Sequence, residues 1–176
     1  MRIVGGLARG RQLKAKLPPT VRPTTDMARE AIFSMLASRG GVDGLIVADL
    51  YCGSGALGLE ALSRGAAVCY FYDNNPACLA AARANFEALK LPGEAIFVKA
   101  ALPVWHPSPD LDLVLTDPPY GEVDVTVLLA EVNAERAVIE NDRFTPAPTG
   151  WLVEKEKRYG TTLVTLLARD EGGEAS

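Results

Sequence analysis

Short apolar runs alternate along most of this chain with segments in which apolar residues recur every three or four positions. The runs are typical of strands buried on both faces, and the longer spacing is typical of helices that pack one side against a sheet. The predicted strands cover 45–50, 68–72, 95–99 and 111–116, and the helices among them cover 56–64 and 76–90. This order predicts an α/β fold with a mostly parallel, Rossmann-like sheet and helices on both of its faces.

Antiparallel hairpins are predicted at both ends of the chain. Near the C-terminus, a short helix at 125–132 and a strand at 137–140 precede two apolar runs, 152–159 and 161–168, which turn at Gly160. This closing hairpin would complete a seven-stranded sheet at one edge. Near the N-terminus, extended runs at 3–4 and 12–15 flank glycines that favour a turn.

The chain is predicted to form one main domain. Prolines at 18, 19 and 23 follow the N-terminal hairpin and form a stiff connector. A helix then starts at the capping residues Thr24, Thr25 and Asp26 and ends before Gly40-Gly41. We therefore divide the chain into a hairpin arm and linker at 1–22, an α/β domain at 23–170 and a tail at 171–176.

Composition excludes several classes of function. The chain has 176 residues, of which 48% are hydrophobic and 23% charged, as in a single soluble globular domain. No apolar run approaches the roughly 18 residues of a membrane span, and the first residues do not resemble a secretion signal. Three cysteines without a C-x-x-C pair and a single histidine, His106, predict neither a disulfide framework nor a metal site. We expect a cytoplasmic protein.

Charge is distributed unevenly along the chain. Residues 1–30 contain seven basic and two acidic residues, a net charge of +5, which leaves −9 for the remainder of a chain whose total is −4. A basic segment on an acidic body favours local binding of a polyanion such as nucleic acid; a solvated edge hairpin is the alternative. The candidate phosphate-binding residues are Arg2, Arg9, Arg11, Lys14, Arg22 and Arg29.

A glycine-rich loop follows the first predicted strand of the sheet. Gly53, Gly55 and Gly58 allow a tight turn and a close approach of the backbone to a ligand. Asp73, at the end of the second strand, is placed to accept both hydroxyls of a ribose. The same spacing fits the dinucleotide fingerprint. However, Asp49 lies four residues before Gly53 and favours a positively charged ligand, because an anion there repels a pyrophosphate.

A second motif, Asp117-Pro118-Pro119-Tyr120, follows the fourth strand and is expected at the same edge of the sheet. An exocyclic amino group of a base is a weak nucleophile because its lone pair is delocalised into the ring. The Asp117 carboxylate and a main-chain carbonyl, for which we choose Pro118, can accept hydrogen bonds from its two N–H groups. This pairing returns electron density to the nitrogen. The prolines stiffen the loop, and Tyr120 offers a ring on which an extruded base can stack.

Together these motifs resemble the class I methyltransferases that carry a D/N-P-P-Y/F sequence. Over nearly its full length the chain is more closely similar to the family of small-subunit (16S) ribosomal RNA guanine-N2 methyltransferases. The segments that carry the resemblance are RIVGG at 2–6, GRxL at 10–13, RPTTDxxRExxF at 22–33, DLYCGSGALGLEALSRG at 49–65, DPPY at 117–120 and YGxT at 159–162.

The resemblance implies S-adenosylmethionine as the methyl donor, S-adenosylhomocysteine as its product, and no metal. It implies methyl transfer to guanine N2 of 16S ribosomal RNA within an assembling small subunit, and we expect the protein to be a monomer. It also implies that the basic N-terminal segment engages RNA, that Thr25 lies beside the donor and that Asp73 meets its ribose. The full set of candidate donor-site residues is Thr25, Asp49, Tyr51, Gly53, Ser54, Gly55, Asp73 and Asn74.

The chain departs from the family pattern at three places. A glutamate is more usual at the position of Asp73, so the aspartate has a shorter reach. Ala100-Ala101 follow the third strand where relatives often carry a polar residue that contacts the adenine. Glu122 and Asp124 add negative charge near the expected RNA face.

Motif chemistry leaves three alternatives open. The same pair of acceptors would serve any planar amino group, so N6-adenine methylation of DNA or RNA, or methylation of a glutamine amide, competes with guanine N2. An NAD-dependent oxidoreductase is the alternative from another enzyme class, although no hydride-relay histidine or lysine accompanies its fingerprint. A nucleic-acid-binding module without activity is the third.

Overall fold

The computed structural model of this chain describes residues 1–15, 17, 25–103, 105, 110–119, 121, 123–130, 132–170 and 172. Its elements are α1 (Asp26–Ala37), β1 (Ile46–Leu50), α2 (Ala56–Ser63), β2 (Val68–Asp73), α3 (Pro76–Leu89), β3 (Glu94–Lys99), β4 (Leu111–Thr116), α4 (Val125–Leu129), β5 (Ala134–Asn141), β6 (Trp151–Tyr159) and β7 (Thr162–Arg169). Each predicted strand and helix from residue 45 onward forms, with ends shifted by at most three residues. Arg22, His106, Tyr120 and Glu122 lie outside the described residues.

A single seven-stranded sheet, in the order β3-β2-β1-β4-β5-β7-β6, forms the centre of the fold. Strands β1 to β5 pair in parallel. β7 is antiparallel to both of its neighbours, β5 and β6. The predicted sheet and its closing hairpin are therefore confirmed. Because β7 inserts between β5 and β6, β6 runs in the same direction as the five parallel strands.

Helix boundaries follow the capping residues. The Thr25 hydroxyl accepts a hydrogen bond from the Ala28 N–H, 3.2 Å away, at the start of α1. At the start of α3, the Asn75 side chain accepts from the Ala77 N–H and Pro76 occupies the first turn. α3 ends at Lys90, which has a left-handed φ of 50°.

Apolar side chains pack on both faces of the sheet. One face is covered by α1, α2 and α3, whose buried residues include Ile32, Leu62 and Ala82. The other face is covered by α4 and by Trp105. Within the described parts of the chain, no helix has both the length and the apolar character needed to cross a membrane.

The parallel strands place their carboxyl ends side by side. In the pairing register, Leu50 at the end of β1 lies between Tyr72 of β2 and Thr116 of β4. We call this side of the sheet the carboxyl edge. Ligands of such sheets bind beside the central strand at which the connections to the neighbouring strands run in opposite directions. In this fold that place is the carboxyl end of β1. The glycine loop follows β1, Asp117 follows β4, and Asp73 is the last residue of β2. All three therefore lie at the carboxyl edge.

The N-terminal hairpin is packed against the α/β domain. Its two sides are joined by antiparallel hydrogen bonds, including Ile3 N–H to the Arg11 carbonyl at 2.9 Å. The Leu7 N–H donates to the Ser63 carbonyl at the end of α2, while the Met1 sulfur lies 3.7 Å from the Ser54 hydroxyl in the glycine loop. The hairpin therefore runs along α2, with its open end near the glycine loop and its tip at the opposite end of the helix.

Candidate active site

Asp49 lies beneath the glycine loop rather than on its surface. The residue is 1% exposed, and one of its carboxylate oxygens accepts the Gly58 N–H at 2.8 Å. This bond takes one of the first N–H groups of α2, which carry partial positive charge. In a dinucleotide site, the N–H groups at the start of α2 would bind a pyrophosphate. Here one of these N–H groups already donates to the Asp49 carboxylate.

Asp73 joins the end of β2 to the same loop. One carboxylate oxygen accepts the Gly53 N–H at 3.1 Å and the other accepts the Asn75 N–H at 2.9 Å. The residue is 7% exposed. A carboxylate oxygen has two lone pairs, so each oxygen keeps acceptor capacity for a further donor such as a hydroxyl.

The backbone of the loop requires left-handed conformations at three positions. Gly53 and Gly55 have φ values of 54° and 80°, which glycine adopts without steric cost. Tyr51 has φ 58° and is the less common case of a bulky residue in this region. Its hydroxyl is buried and finds no hydrogen-bond partner within the described part of the chain. Burial, with the Asp73 charge as a smaller cause, raises the pKa of Tyr51 to about 12.

The reaction loop begins directly after β4. Asp117 is half-buried, Pro118 is buried and Pro119 is exposed, so the loop leaves the sheet at Pro119. Tyr120 is outside the described residues, and its predicted stacking role stays a prediction. Because Thr116 pairs with Leu50 across β4 and β1, Asp117 comes to the same edge as the glycine loop.

Three carboxylates therefore meet at the carboxyl edge. Burial raises the pKa of Asp49 well above its usual range, the Gly58 N–H opposes this shift, and the negative charges of Asp117 and Asp73 add to it. Among the described residues, no group of three or more His, Cys, Asp or Glu side chains is arranged to hold a metal ion. Three carboxylates so close together fit a cationic ligand better than an anionic one.

The other predicted donor-site residues occupy different surroundings. Ser54 is 3% exposed, and its carbonyl accepts a 3.0 Å hydrogen bond from the Asn85 amide. Asn74 is exposed at the turn between β2 and α3. Thr25 is exposed, and its hydroxyl caps α1. The structure brings Asp49, Asp73 and the loop together, whereas Thr25 contributes as a helix cap.

Arg29 requires a correction. It was predicted to bind phosphate, but its side chain has no exposed surface. Its guanidinium donates to the Arg2 carbonyl at 2.5 Å and to the Asp26 carboxylate at 2.6 Å. Counting charges along the sequence cannot show that this arginine lies on the buried side of α1, where it ties the hairpin to the domain.

The remaining basic residues of the hairpin differ in what they contact. Arg11 is exposed, but its guanidinium donates to the carbonyls of Leu89 and Ala88 at the end of α3. Arg2 is paired with Asp26, 3.3 Å away, and its side chain is 64% exposed. Arg9 and Lys14 are exposed to solvent. The described members of the predicted basic set therefore differ in how far their side chains are available to a ligand.

Sequence reasoning missed Asn85. Its side chain is 2% exposed and links two parts of the site, because its amide donates to the Ser54 carbonyl and its oxygen accepts the Ala15 N–H at 3.0 Å. A signal was present, since Asn85 interrupts the apolar side of α3 formed by Cys78, Ala82 and Leu89. A buried amide at an apolar helical position implies satisfied partners, which here position the glycine loop.

Known proteins are similar to this chain over most of its length. The family model described as "Conserved hypothetical protein 95" matches residues 1–168. The chain belongs to this family. The putative rRNA methyltransferase YlbH of Bacillus subtilis is 34% identical over 170 residues, which cover 94% of this chain and 91% of that protein. The Ribosomal RNA small subunit methyltransferase D of Escherichia coli is 33% identical over 191 residues, covering 99% and 93% of the two chains.

Solved structures give the same family and fold. A putative methyltransferase, yhhF, from Escherichia coli superposes with a TM-score of 0.79 at 31% identity, covering 97% of this chain and 98% of that one. The ribosomal protein L11 methylase of Lactobacillus delbrueckii superposes with a TM-score of 0.69 at 19% identity, covering 89% and 85%; at this identity the likeness shows the fold alone. The expected class I methyltransferase fold is confirmed.

Proposed function

We propose that this chain is an S-adenosylmethionine-dependent methyltransferase that modifies the exocyclic N2 amine of a guanine in 16S ribosomal RNA, within an assembling small subunit. The observation that carries this proposal is the meeting of Asp117-Pro118-Pro119 with the Asp49 glycine loop at one edge of the sheet. Membership of a family that includes ribosomal RNA methyltransferases supports the substrate class.

The carboxylates fit the donor better than they fit a dinucleotide. S-adenosylmethionine carries a sulfonium and an ammonium group, and Asp49, Asp73 and Asp117 supply the opposite charge. A pyrophosphate would face these carboxylates and compete with Asp49 for the start of α2. The NAD alternative is therefore disfavoured on electrostatic grounds.

Residues of this chain would hold the cofactor in two ways. Asp73 would accept the ribose hydroxyls with the lone pairs that the Gly53 and Asn75 N–H groups leave available. The backbone of Gly53 and Gly55 would lie against the amino-acid portion, and Asp49 would stabilise its positive charge from below the loop. The bound cofactor supplies an electrophilic methyl group.

The reaction loop would activate the target nitrogen. The Asp117 carboxylate and the Pro118 carbonyl accept hydrogen bonds from the two N–H groups of the amine, and so orient its lone pair toward the methyl group. A nitrogen–carbon bond forms as the carbon–sulfur bond breaks, and the electron pair of that bond goes to sulfur. The alkylated amine then loses one proton, to Asp117 or to water.

Product analysis tests this function. We expect radiolabel from the donor to appear as N2-methylguanosine in small-subunit precursor particles taken from a strain that lacks this protein. Asp117→Asn should reduce turnover by at least about 100-fold, the size of one lost preorganised contact, while the dissociation constant of S-adenosylhomocysteine stays within a few-fold of wild type. Label in N6-methyladenosine, or full activity of the Asp117 variant, would contradict the proposal.

A further inference from the structure

The turn that follows β5 presents an arginine and an aromatic ring to solvent. The Asn141 side chain closes this turn, because its oxygen accepts the Asp142 N–H at 2.8 Å and its amide contacts the Thr145 hydroxyl at 3.1 Å. At the apex, the side chain of Arg143 is 65% exposed and Phe144 is 63% exposed. An ordered turn therefore holds a cation beside an uncovered ring.

This turn lies next to the reaction loop. β5 is the parallel neighbour of β4, and Ile139 pairs with Thr116, the residue before Asp117. Contact between the two loops is direct, since a Cβ atom added to Gly121 would stand 2.9 Å from a terminal nitrogen of Arg143. The Arg143 guanidinium thus borders Gly121, two residues after Pro119.

A second cation comes from the end of β6. The Arg158 guanidinium donates to the Asp142 carbonyl at 3.3 Å and to the Thr161 carbonyl at 3.4 Å, which holds it beside the turn. Asp142 is the acidic partner there, and its carboxylate contacts Nε of Arg143 at 3.1 Å. That contact uses Nε of Arg143, while one of its terminal nitrogens faces Gly121. We call Arg143, Phe144 and Arg158 the β5-turn surface.

We infer that the β5-turn surface binds single-stranded RNA next to the methylated base, with a neighbouring base stacked on Phe144 and phosphates bound by Arg143 and Arg158. This inference rests on the proposed RNA substrate. Guanidinium groups match phosphate oxygens in geometry and charge. An exposed ring beside a reaction loop offers the stacking that a strand loses when one of its bases is extruded.

Phe144 is tested with steady-state kinetics on precursor particles. We expect Phe144→Ala to raise the KM for RNA roughly 5- to 150-fold, the loss that corresponds to one base stacked on an aromatic ring. Phe144→Tyr keeps the ring and should keep the wild-type KM. Leu152→Ala removes a similarly exposed apolar side chain, 54% exposed, at the opposite end of β6, and serves as the matched control. All three variants should retain the wild-type affinity for S-adenosylhomocysteine.

The arginines are tested through the salt dependence of RNA binding. Arg143→Gln with Arg158→Gln should lower the log–log slope by about 1.4, because a phosphate contact on single-stranded nucleic acid contributes about 0.7. α3 packs against β2 and β3, away from β5 and β6 in the order of strands. The control pair, Arg83→Gln with Lys90→Gln, removes the same charge from α3 and from the residue that follows it. It should leave the slope unchanged.

Several outcomes would overturn the inference, and one would overturn only the choice of methylated base. An unchanged KM for Phe144→Ala together with an unchanged slope for the arginine pair would do so while the proposed methylation stands. A change in oligomeric state with Phe144→Ala at constant KM would assign the surface to a second copy of the chain instead. Label in N6-methyladenosine would contradict guanine N2 but leave the kinetic comparison valid. No methylation of RNA by the wild-type protein would remove both proposals.

Discussion

Asp49 links the structure of the glycine loop to the charge of its ligand. Its carboxylate supports the start of α2 through the Gly58 N–H, yet burial and two neighbouring carboxylates oppose its ionisation. A cationic ligand above the loop would bring positive charge close to Asp49 and lower the pKa of its carboxyl group. Cofactor binding should therefore be coupled to the release of a proton.

We expect the affinity for S-adenosylmethionine to rise with pH through the raised pKa of Asp49, because the ligand binds the ionised form more tightly. Isothermal titration at one pH, in two buffers with different protonation enthalpies, measures the protons released. Asp49→Asn should abolish this release and weaken binding. A binding enthalpy that does not depend on the buffer at any pH above the usual pKa range of an aspartate would contradict the coupling.

The stability of the same variant provides the control. A carboxyl whose pKa is raised by folding stabilises the protein fully at low pH, and that contribution is lost as the pH rises through the folded-state pKa. Above that pKa, Asp49→Asn removes a buried negative charge and leaves an amide oxygen that can accept the Gly58 N–H. Its melting temperature without ligand should therefore equal or exceed that of wild type, so weak binding could not be attributed to unfolding.

At the scale of elements, the close approach of α2 to β2 fixes where the glycine loop turns. A Cβ atom at Gly58 would stand 2.4 Å from the Phe71 ring and 2.6 Å from the Cys69 sulfur. Both residues are fully buried in the sheet, so neither has free space to move into. The third glycine is therefore needed for the packing of helix on strand, in addition to any ligand that binds above the loop.

The Gly58→Ala variant tests whether close packing or helix propensity determines the stability of the protein at this position. Alanine in place of a helical glycine would stabilise the protein by up to about 1 kcal/mol if the site were open. Overpacking of a close-packed core costs about 1–3 kcal/mol. We expect the clash to prevail and the melting temperature to fall by several degrees in differential scanning calorimetry. Replacing Phe71 by Leu in the same chain should recover part of the loss, and a higher melting temperature for Gly58→Ala alone would disprove the close approach.

Elements with local signals could be predicted from the sequence. β4 has its predicted bounds, and α3 differs by one residue, because an apolar run and the Asn75-Pro76 start are readable without the fold. Contacts distant in sequence could not be predicted in this way. Glu60, which is fully buried in α2, accepts the Val4 N–H 56 residues away. The burial of Arg29 has the same cause, since it depends on where the hairpin docks.

The candidate site shows the same division. Its motifs identified which loops meet, since the order of strands and helices predicts which strands end at one edge. The motifs did not show how the loops are held. The Asn85 amide between the glycine loop and the hairpin, and the Arg143 guanidinium against the segment at Gly121, both join elements whose separation is set by the packed fold.

At the scale of the whole molecule, an acidic protein is proposed to bind a polyanion. A net charge of −4 opposes the approach of RNA, so productive contact depends on local groups of exposed cations. Two such groups are exposed on different parts of the molecule. One is Arg9 and Lys14 on the hairpin, which packs with α2 and α3, and the other is Arg143 and Arg158 at the ends of β5 and β6.

The two groups lead to a prediction about how a single RNA is held. We expect Arg9→Gln with Lys14→Gln to lower the log–log salt slope of RNA binding by about 1.4, and the fourfold variant that adds Arg143→Gln and Arg158→Gln to lower it by about 2.8. Contributions add only if one RNA contacts both groups at once. Arg11 is left out of these variants because its replacement would also remove hydrogen bonds to the end of α3. A loss of stability could then be mistaken for a loss of RNA binding. If Arg143→Gln with Arg158→Gln alone produced the full loss, RNA would use only the β5-turn surface and the basic hairpin would be a solvated edge of the fold.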